Sequence, residues 1–222
     1  MSEFNISVEG GSSARLPTAG KYCDRDIVIT AEDNHEIEDA IIERTISGDY
    51  VNDRITVLGS SVFRDCPYIT SISCANVLTV DARALYSCNK LKYVSFPSAE
   101  TFSDYAIYNC TAVTNLYLSK LKTTASQAMA RTSAITKIEL PSIQKISSTC
   151  FDRCSKLIAL VLPGNTVATL QGTAFTNTPI ASGTGYIYVP TALVEEYKAA
   201  TNWSTYANQI RAIEDYPEIV GG

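Results

Sequence analysis

A fixed interval of 22 residues constrains this chain more than any other feature. Phe63, Leu85, Ile107, Met129 and Phe151 follow one another at that spacing, and three positions after each stand Cys66, Cys88, Cys110, Thr132 and Cys154. A period of this size marks a solenoid: each repeat is one supersecondary unit that cannot bury its apolar side alone and must stack on its neighbours.

The rest of the repeat follows the same register. Triplets of the form L-x-x-L-x-L recur as Ile69, Ile72, Cys74; Leu91, Val94, Phe96; Val113, Leu116, Leu118; Ile135, Ile138, Leu140; and Leu157, Leu160, Leu162. The last two members of each triplet alternate with polar residues, the period-two mark of a short strand. Further inward columns run through Val77, Ala99, Leu121 and Ile143, and through Leu58, Val80, Phe102, Thr124, Ile146 and Leu170. A small residue, from Val62 and Ala84 to Cys150 and Ala174, precedes the aligned apolar one. Neighbouring strands are expected to pair in parallel, with turns such as Cys66-Pro67-Tyr68 and Cys88-Asn89-Lys90 between them.

The ends differ. Residues 1–33 read as a small N-terminal β module, a hairpin with strands near Asn5–Val8 and Asp26–Ala31. Residues 34–54 are expected to cap the solenoid: Asp33-Asn34 would start a short helix over Glu36–Glu43, and Thr45–Val51 a degenerate first coil. Repeats fill 55–190, with a longer sixth coil and an inserted turn at Ser182-Gly183-Thr184-Gly185. Residues 191–222 form a helical C-terminal cap and tail, in which Leu193, Val194 and Tyr197 face inward and Trp203, Tyr206 and Ile210 make a second apolar set at helical spacing.

Composition excludes several functions. A net charge of −5 argues against a nucleic-acid footprint, which needs a basic stripe. No apolar run is long enough to span a bilayer. The start, Met1-Ser2-Glu3-Phe4-Asn5, lacks the basic and apolar regions of a signal peptide, so cytoplasmic synthesis is expected. Seven cysteines, an odd number, read as buried thiols, Cys23 included, and no metal site is expected among them. The Cys150/Cys154 pair falls on two inward columns. His35, the one histidine, lies beside Glu36 in the capping segment with no nucleophile near it in sequence. The carboxylates are scattered and no phosphate-binding glycine loop occurs, so no catalytic residues and no cofactor are assigned. The sequons at Asn5, Asn109 and Asn202 are chance patterns.

With these residues in register, the repeat resembles the BspA-like leucine-rich repeats, in which an aromatic or aliphatic residue, two spacers and Cys precede the L-x-x-L-x-L strand. Phe63-Arg64-Asp65-Cys66 and Phe151-Asp152-Arg153-Cys154 match best, and Met129–Thr132 departs by lacking Cys. The closing Tyr188-Val189-Pro190, Tyr197-Lys198 and Trp203 stretch is similar to that family's C-terminal caps. The expected fold is thus a leucine-rich-repeat solenoid, a parallel β-sheet of short strands in coils of about 22 residues. The stretch Leu16–Asp24 resembles N-terminal modules of phage tail or virion-associated proteins.

The resemblance implies binding without catalysis. The surface expected to carry it is the outward face of the strands: Ser71, Ser73; Tyr93, Ser95; Asn115, Tyr117; Lys137, Glu139; and Ala159, Val161. Its centre is Tyr93, Ser95, Asn115, Tyr117, Lys137 and Glu139. The expected function is adhesion by a virion-associated host-recognition or tail protein, at a virion or extracellular surface. The expected partners are a host surface protein or glycan, with residues 1–33 meeting virion assembly partners. A bacterial surface adhesin and an intracellular protein-binding scaffold or inhibitor are the alternatives. Nucleic acid and membrane insertion are not expected.

Overall fold

A computed structural model describes Phe4–Val8, Ile27–Ala31 and residues 48–219. The expected capping helix, the Gly10 and Leu16–Gly20 turns, Cys23 and His35 lie outside those residues. Strands β1 (Phe4–Val8) and β2 (Ile27–Ala31) sit where expected but pair in parallel, Phe4 with Ile27 through Val8 with Ala31. The module is therefore not a hairpin.

From Gly48 onward the chain winds into coils of triangular section. One side, the front, is built from β3 (Gly48–Val51), β5 (Ile69–Ser73), β7 (Tyr93–Ser95), β9 (Asn115–Tyr117), β11 (Lys137–Glu139), β13 (Ala159–Val161) and β15 (Tyr186–Val189). A second side is a six-stranded parallel sheet of two-residue strands: β4 (Val57–Leu58), β6 (Thr79–Val80), β8 (Thr101–Phe102), β10 (Thr123–Thr124), β12 (Lys145–Ile146) and β14 (Thr169–Leu170). The third side stacks the turns 60–65, 82–87, 104–109, 126–131 and 148–153. β3 pairs with β5, so the degenerate first coil is present.

The turn side is hydrogen-bonded from coil to coil like a sheet. Phe63 N–H reaches Ala84 O at 2.8 Å, Leu85 reaches Ala106 at 2.8 Å, and Ile107 reaches Ala128 at 2.8 Å. Each turn holds two non-glycine residues in the left-handed region. One column is Ser61, Arg83, Tyr105, Gln127 and Thr149; the other is Asp65, Ser87, Asn109, Arg131 and Arg153, all with φ from 54° to 60°. A left-handed L-residue costs about 1 kcal/mol. The cross-coil bonds and the burial of the intervening apolar residue offset that strain: Phe63, Leu85, Ile107, Met129 and Phe151 are fully buried.

Under each turn the cysteine column behaves as packing. Cys88 Sγ–H donates to Phe63 O of the preceding coil at 3.0 Å, Cys110 to Leu85 O at 2.9 Å, and Cys154 to Met129 O at 3.2 Å. The six described cysteines are buried. Burial pushes the Cys74 and Cys150 thiols up to about 12 and Cys154 to about 11. An inert thiol is the consequence.

The C-terminal end is closed as expected in outline. A 3-10 turn (Thr191–Leu193) leads into α1 (Val194–Ala199). Tyr197 and Trp203 then cover the last coil and bond the edge of β14. Trp203 Nε1–H donates to Ala168 O at 2.6 Å, Ala168 N–H donates to Tyr197 OH at 3.1 Å, and Asn202 Nδ2–H donates to Leu170 O at 2.7 Å. Side chains thus satisfy backbone groups that another coil would otherwise satisfy. Ile210 departs from the helical expectation: it opens β16 (Ile210–Ala212), which adds a parallel strand beside β15. In the inserted turn, Gly183 has φ +84°, and a Cβ on Gly185 would meet Ile180 N at 2.9 Å.

Candidate binding faces

The front is not one continuous sheet. Strands β3, β5, β7 and β9 form one sheet and β11, β13, β15 and β16 another, whereas the six-stranded side runs without a break. On either side of this seam the coils are laced by one recurring bond: Cys74 N–H to Ser95 O, Phe96 N–H to Tyr117 O, Leu140 N–H to Val161 O. Leu118 N–H has no such bond to the next coil. Leu116 at the seam is only partly buried, while its equivalents Ile72, Val94, Ile138 and Leu160 are fully enclosed.

Four of the six residues singled out from the sequence flank this seam, Asn115 and Tyr117 on one lip and Lys137 and Glu139 on the other. Tyr93 and Ser95 lie one coil back. Tyr93 pairs with Asn115 and Ser95 with Tyr117, so the two tyrosines are diagonal neighbours. Their rings lie 5.4 Å apart, and they are 38% and 50% exposed. Asn115 is exposed, Ser95 half-buried, and Lys137 and Glu139 half-buried. Large exposed rings at neighbouring register positions are what a recognition surface needs.

Two of the flanking positions are corrected. Ala159 and Val161, expected to face outward, are buried at 4% and 0%. They do face out of the solenoid, but the tail folds back over them. Ile213, Tyr216 and Ile219 pack with Tyr188 and Tyr186 on that patch, and the Tyr188 and Tyr216 rings lie 5.4 Å apart. Lys137 Nζ donates to Ile219 O at 3.0 Å. The open part of the front therefore ends near the seam.

Sequence reasoning missed a second group, on the turn side. Positions 64, 86 and 108 hold Arg64, Tyr86 and Tyr108, and positions 83 and 105 hold Arg83 and Tyr105. The solenoid stacks each column. Tyr86 and Tyr108 stack with centroids 5.0 Å apart and planes at 16°, and Tyr105 meets Tyr108 edge-on at 5.3 Å. Arg64 lies 5.3 Å from the Tyr86 ring, Arg83 5.3 Å from Tyr105 and Arg131 5.6 Å from Tyr108. The signal was available: the same register, extended to the columns beside the aligned apolar residue, places these residues over one another.

Among the described residues, no three His, Cys, Asp or Glu side chains are grouped to hold a metal ion. No described helix is long and apolar enough to cross a membrane.

These features define a class first: a parallel-β solenoid of short coils, with a capped C-terminal end and outward-facing aromatic columns. The family follows from direct comparison. The model of the BspA type leucine rich repeat region matches in six copies over residues 36–114 and 79–187, and the chain belongs to that family. Its members are repeat proteins of protein binding or adhesion, typically non-catalytic and often surface-associated. A crystal structure of a leucine-rich repeat protein from Bacteroides ovatus is similar in fold, with a TM-score of 0.58 and 20% identity over 76% of this chain and 46% of that one. The chain thus spans less than half the length of that protein. No curated protein matches it by sequence.

Proposed function

We propose that this chain is a non-catalytic adhesion module that grips a partner protein on the open front of the solenoid, at Tyr93, Ser95, Asn115 and Tyr117, with Lys137 and Glu139 on the far lip. The observation that carries this reading is the seam beside the tyrosine pair. There the inward Leu116 is left partly uncovered where the ladder parts, and on the outer face the two exposed rings and Asn115 supply adaptable contacts to a partner. Beyond the seam the protein's own tail occupies the patch of Ala159, Val161 and Tyr188, which leaves the β3–β9 side as the open front.

The biological setting we propose is a virion, with the module serving host recognition or a tail. The likeness of Leu16–Asp24 to virion-associated N-terminal modules supports that choice over a bacterial surface adhesin or an intracellular scaffold. Weak contacts repeated over many copies would then supply avidity. The test presents the purified chain as a multimer to candidate host cells. Wild type binds, and Tyr93→Ala/Tyr117→Ala loses at least tenfold in apparent affinity. Equal binding by both proteins rejects the face. No binding to any host cell, with detection of the chain in cytosol and not in particles, rejects the setting.

A further inference from the structure

The turn side carries a second surface of different chemistry. Three of its four arginines, Arg64, Arg83 and Arg131, each lie over a tyrosine ring, and the rings themselves form one cluster. A guanidinium over an aromatic face gives up side-chain freedom before any ligand arrives and keeps its planar N–H edges pointing outward. The ring faces are already engaged, by the arginines and by one another. The free functionality is therefore N–H donors in fork geometry, which suits oxyanions and not a stacking partner.

Charge accounting points the same way. The carboxylates of this side have partners: Asp65 pairs with Arg64 at 3.3 Å, Asp152 pairs with Arg153 at 3.8 Å and also accepts from Asn177, and Asp104 accepts from Ser126 N–H at 2.9 Å. Arg83 and Arg131 form no ion pair with any described carboxylate. Two arginines without an ion-pair partner, fixed on adjacent rings, keep their guanidinium N–H groups available to an external anion.

We infer that the Arg83 and Arg131 guanidiniums, held by Tyr105 and Tyr108, form a docking surface for a carboxylate-rich segment of a partner protein, with the Arg64–Asp65 pair at its edge. This surface is on a different side of the prism from the tyrosine pair at the front. A protein segment is the occupant because the family works by protein contact, and because two unpaired guanidinium forks on neighbouring rings match side-chain carboxylates of one segment. It stands or falls independently of the front face.

The test uses the full chain and poly-L-glutamate as probe, with heparin as a sulfated polymer and inorganic polyphosphate alongside. Poly-L-glutamate is expected to bind wild type at low salt and to be released as salt rises. Arg83→Gln/Arg131→Gln is expected to lose at least tenfold, with an unchanged melting temperature. Arg83→Lys/Arg131→Lys, which keeps charge but not the planar fork, is expected to lose several-fold. The front variant Tyr93→Ala/Tyr117→Ala is expected to bind the probe like wild type. Failure of poly-L-glutamate to bind overturns the proposal, and so does binding that the glutamine variant leaves unchanged. Binding of heparin or polyphosphate without poly-L-glutamate also overturns it, because the occupant would then be a sulfated or phosphorylated polymer.

Discussion

Thr132 donates its hydroxyl to Met129 O, three residues back in its own coil, at 2.7 Å. The cysteines at the equivalent positions 88, 110 and 154 reach 25 residues back, into the preceding coil. The thiol bridge is missing at the junction where the front sheet divides, between β9 and β11, and also further on, where Thr178 donates to Phe175 O at 2.7 Å while β13 and β15 stay paired. The Thr132 hydroxyl satisfies itself within its own coil, and at the β9–β11 junction no side-chain bond from this column reaches the preceding coil.

The first prediction concerns that junction. Amides of Leu118 and of Lys137–Glu139 should exchange with solvent faster than those of Val94–Phe96, because the ladder that protects them is interrupted. Thr132→Cys should slow exchange there and raise stability by roughly 0.5–1 kcal/mol, the scale of a net hydrogen bond. Hydrogen exchange read residue by residue checks this. Unchanged exchange in the variant would detach the seam from Thr132.

Thr149 sits at φ 54° with a β-branched side chain, the worst type for the left-handed region. Asn tolerates that region far better. Thr149→Asn should therefore stabilise by about 1 kcal/mol, less whatever its hydroxyl bond to Ser148 O contributes. Denaturant unfolding measures it, and a loss of stability would show that the hydroxyl bond outweighs the strain.

Alkaline pH should unfold the chain through its thiols. Burial raises Cys74 and Cys150 to about 12 and Cys154 to about 11, from an ordinary 9.0. A folded pKa above the unfolded one means that the folded state holds its protons longer. The stability this contributes is complete below about pH 9 and is lost as pH rises through the folded values, from about 9 towards 12. Cys74→Ala/Cys150→Ala should be less stable at pH 7 and flatter in its stability profile over that window. A profile of wild-type slope in the variant would assign the alkaline loss to other groups.

The tail covers the apolar patch of Ala159, Val161 and Tyr188. Tyr216→Ala should cost about 1–2 kcal/mol, from lost burial and one edge-to-face ring contact. It should also raise binding of a hydrophobic dye, while leaving poly-L-glutamate binding intact. If dye binding stays at the wild-type level, the remaining residues Ile213 and Ile219 suffice to cover the patch.

Much of the candidate site was legible and some was not, for definite reasons. Tyr93 and Tyr117 are found by alternation along single strands, a local property. Ala159 and Val161 obey the same alternation and still end buried, because residues 213–219 return over them across a long separation in sequence. The Arg64–Tyr86–Tyr108 and Arg83–Tyr105 columns needed only the known period applied to turn positions. Polar and aromatic turn residues carry no apolar pattern, so nothing draws the eye to them. Thr132 is visible as a departure from Cys, but that the front ladder parts between β9 and β11 is decided by hydrogen bonding between coils.

By itself the sequence determined the coil. A 22-residue register of apolar positions allows one stacking that buries them all, so the strands, the turns and the thiol column follow from spacing. The tertiary structure alone decided which outward surfaces remain open. The tail can settle on one stretch of the front and a ladder can part at one junction, because both depend on contacts between groups far apart in the chain, and no local period encodes those.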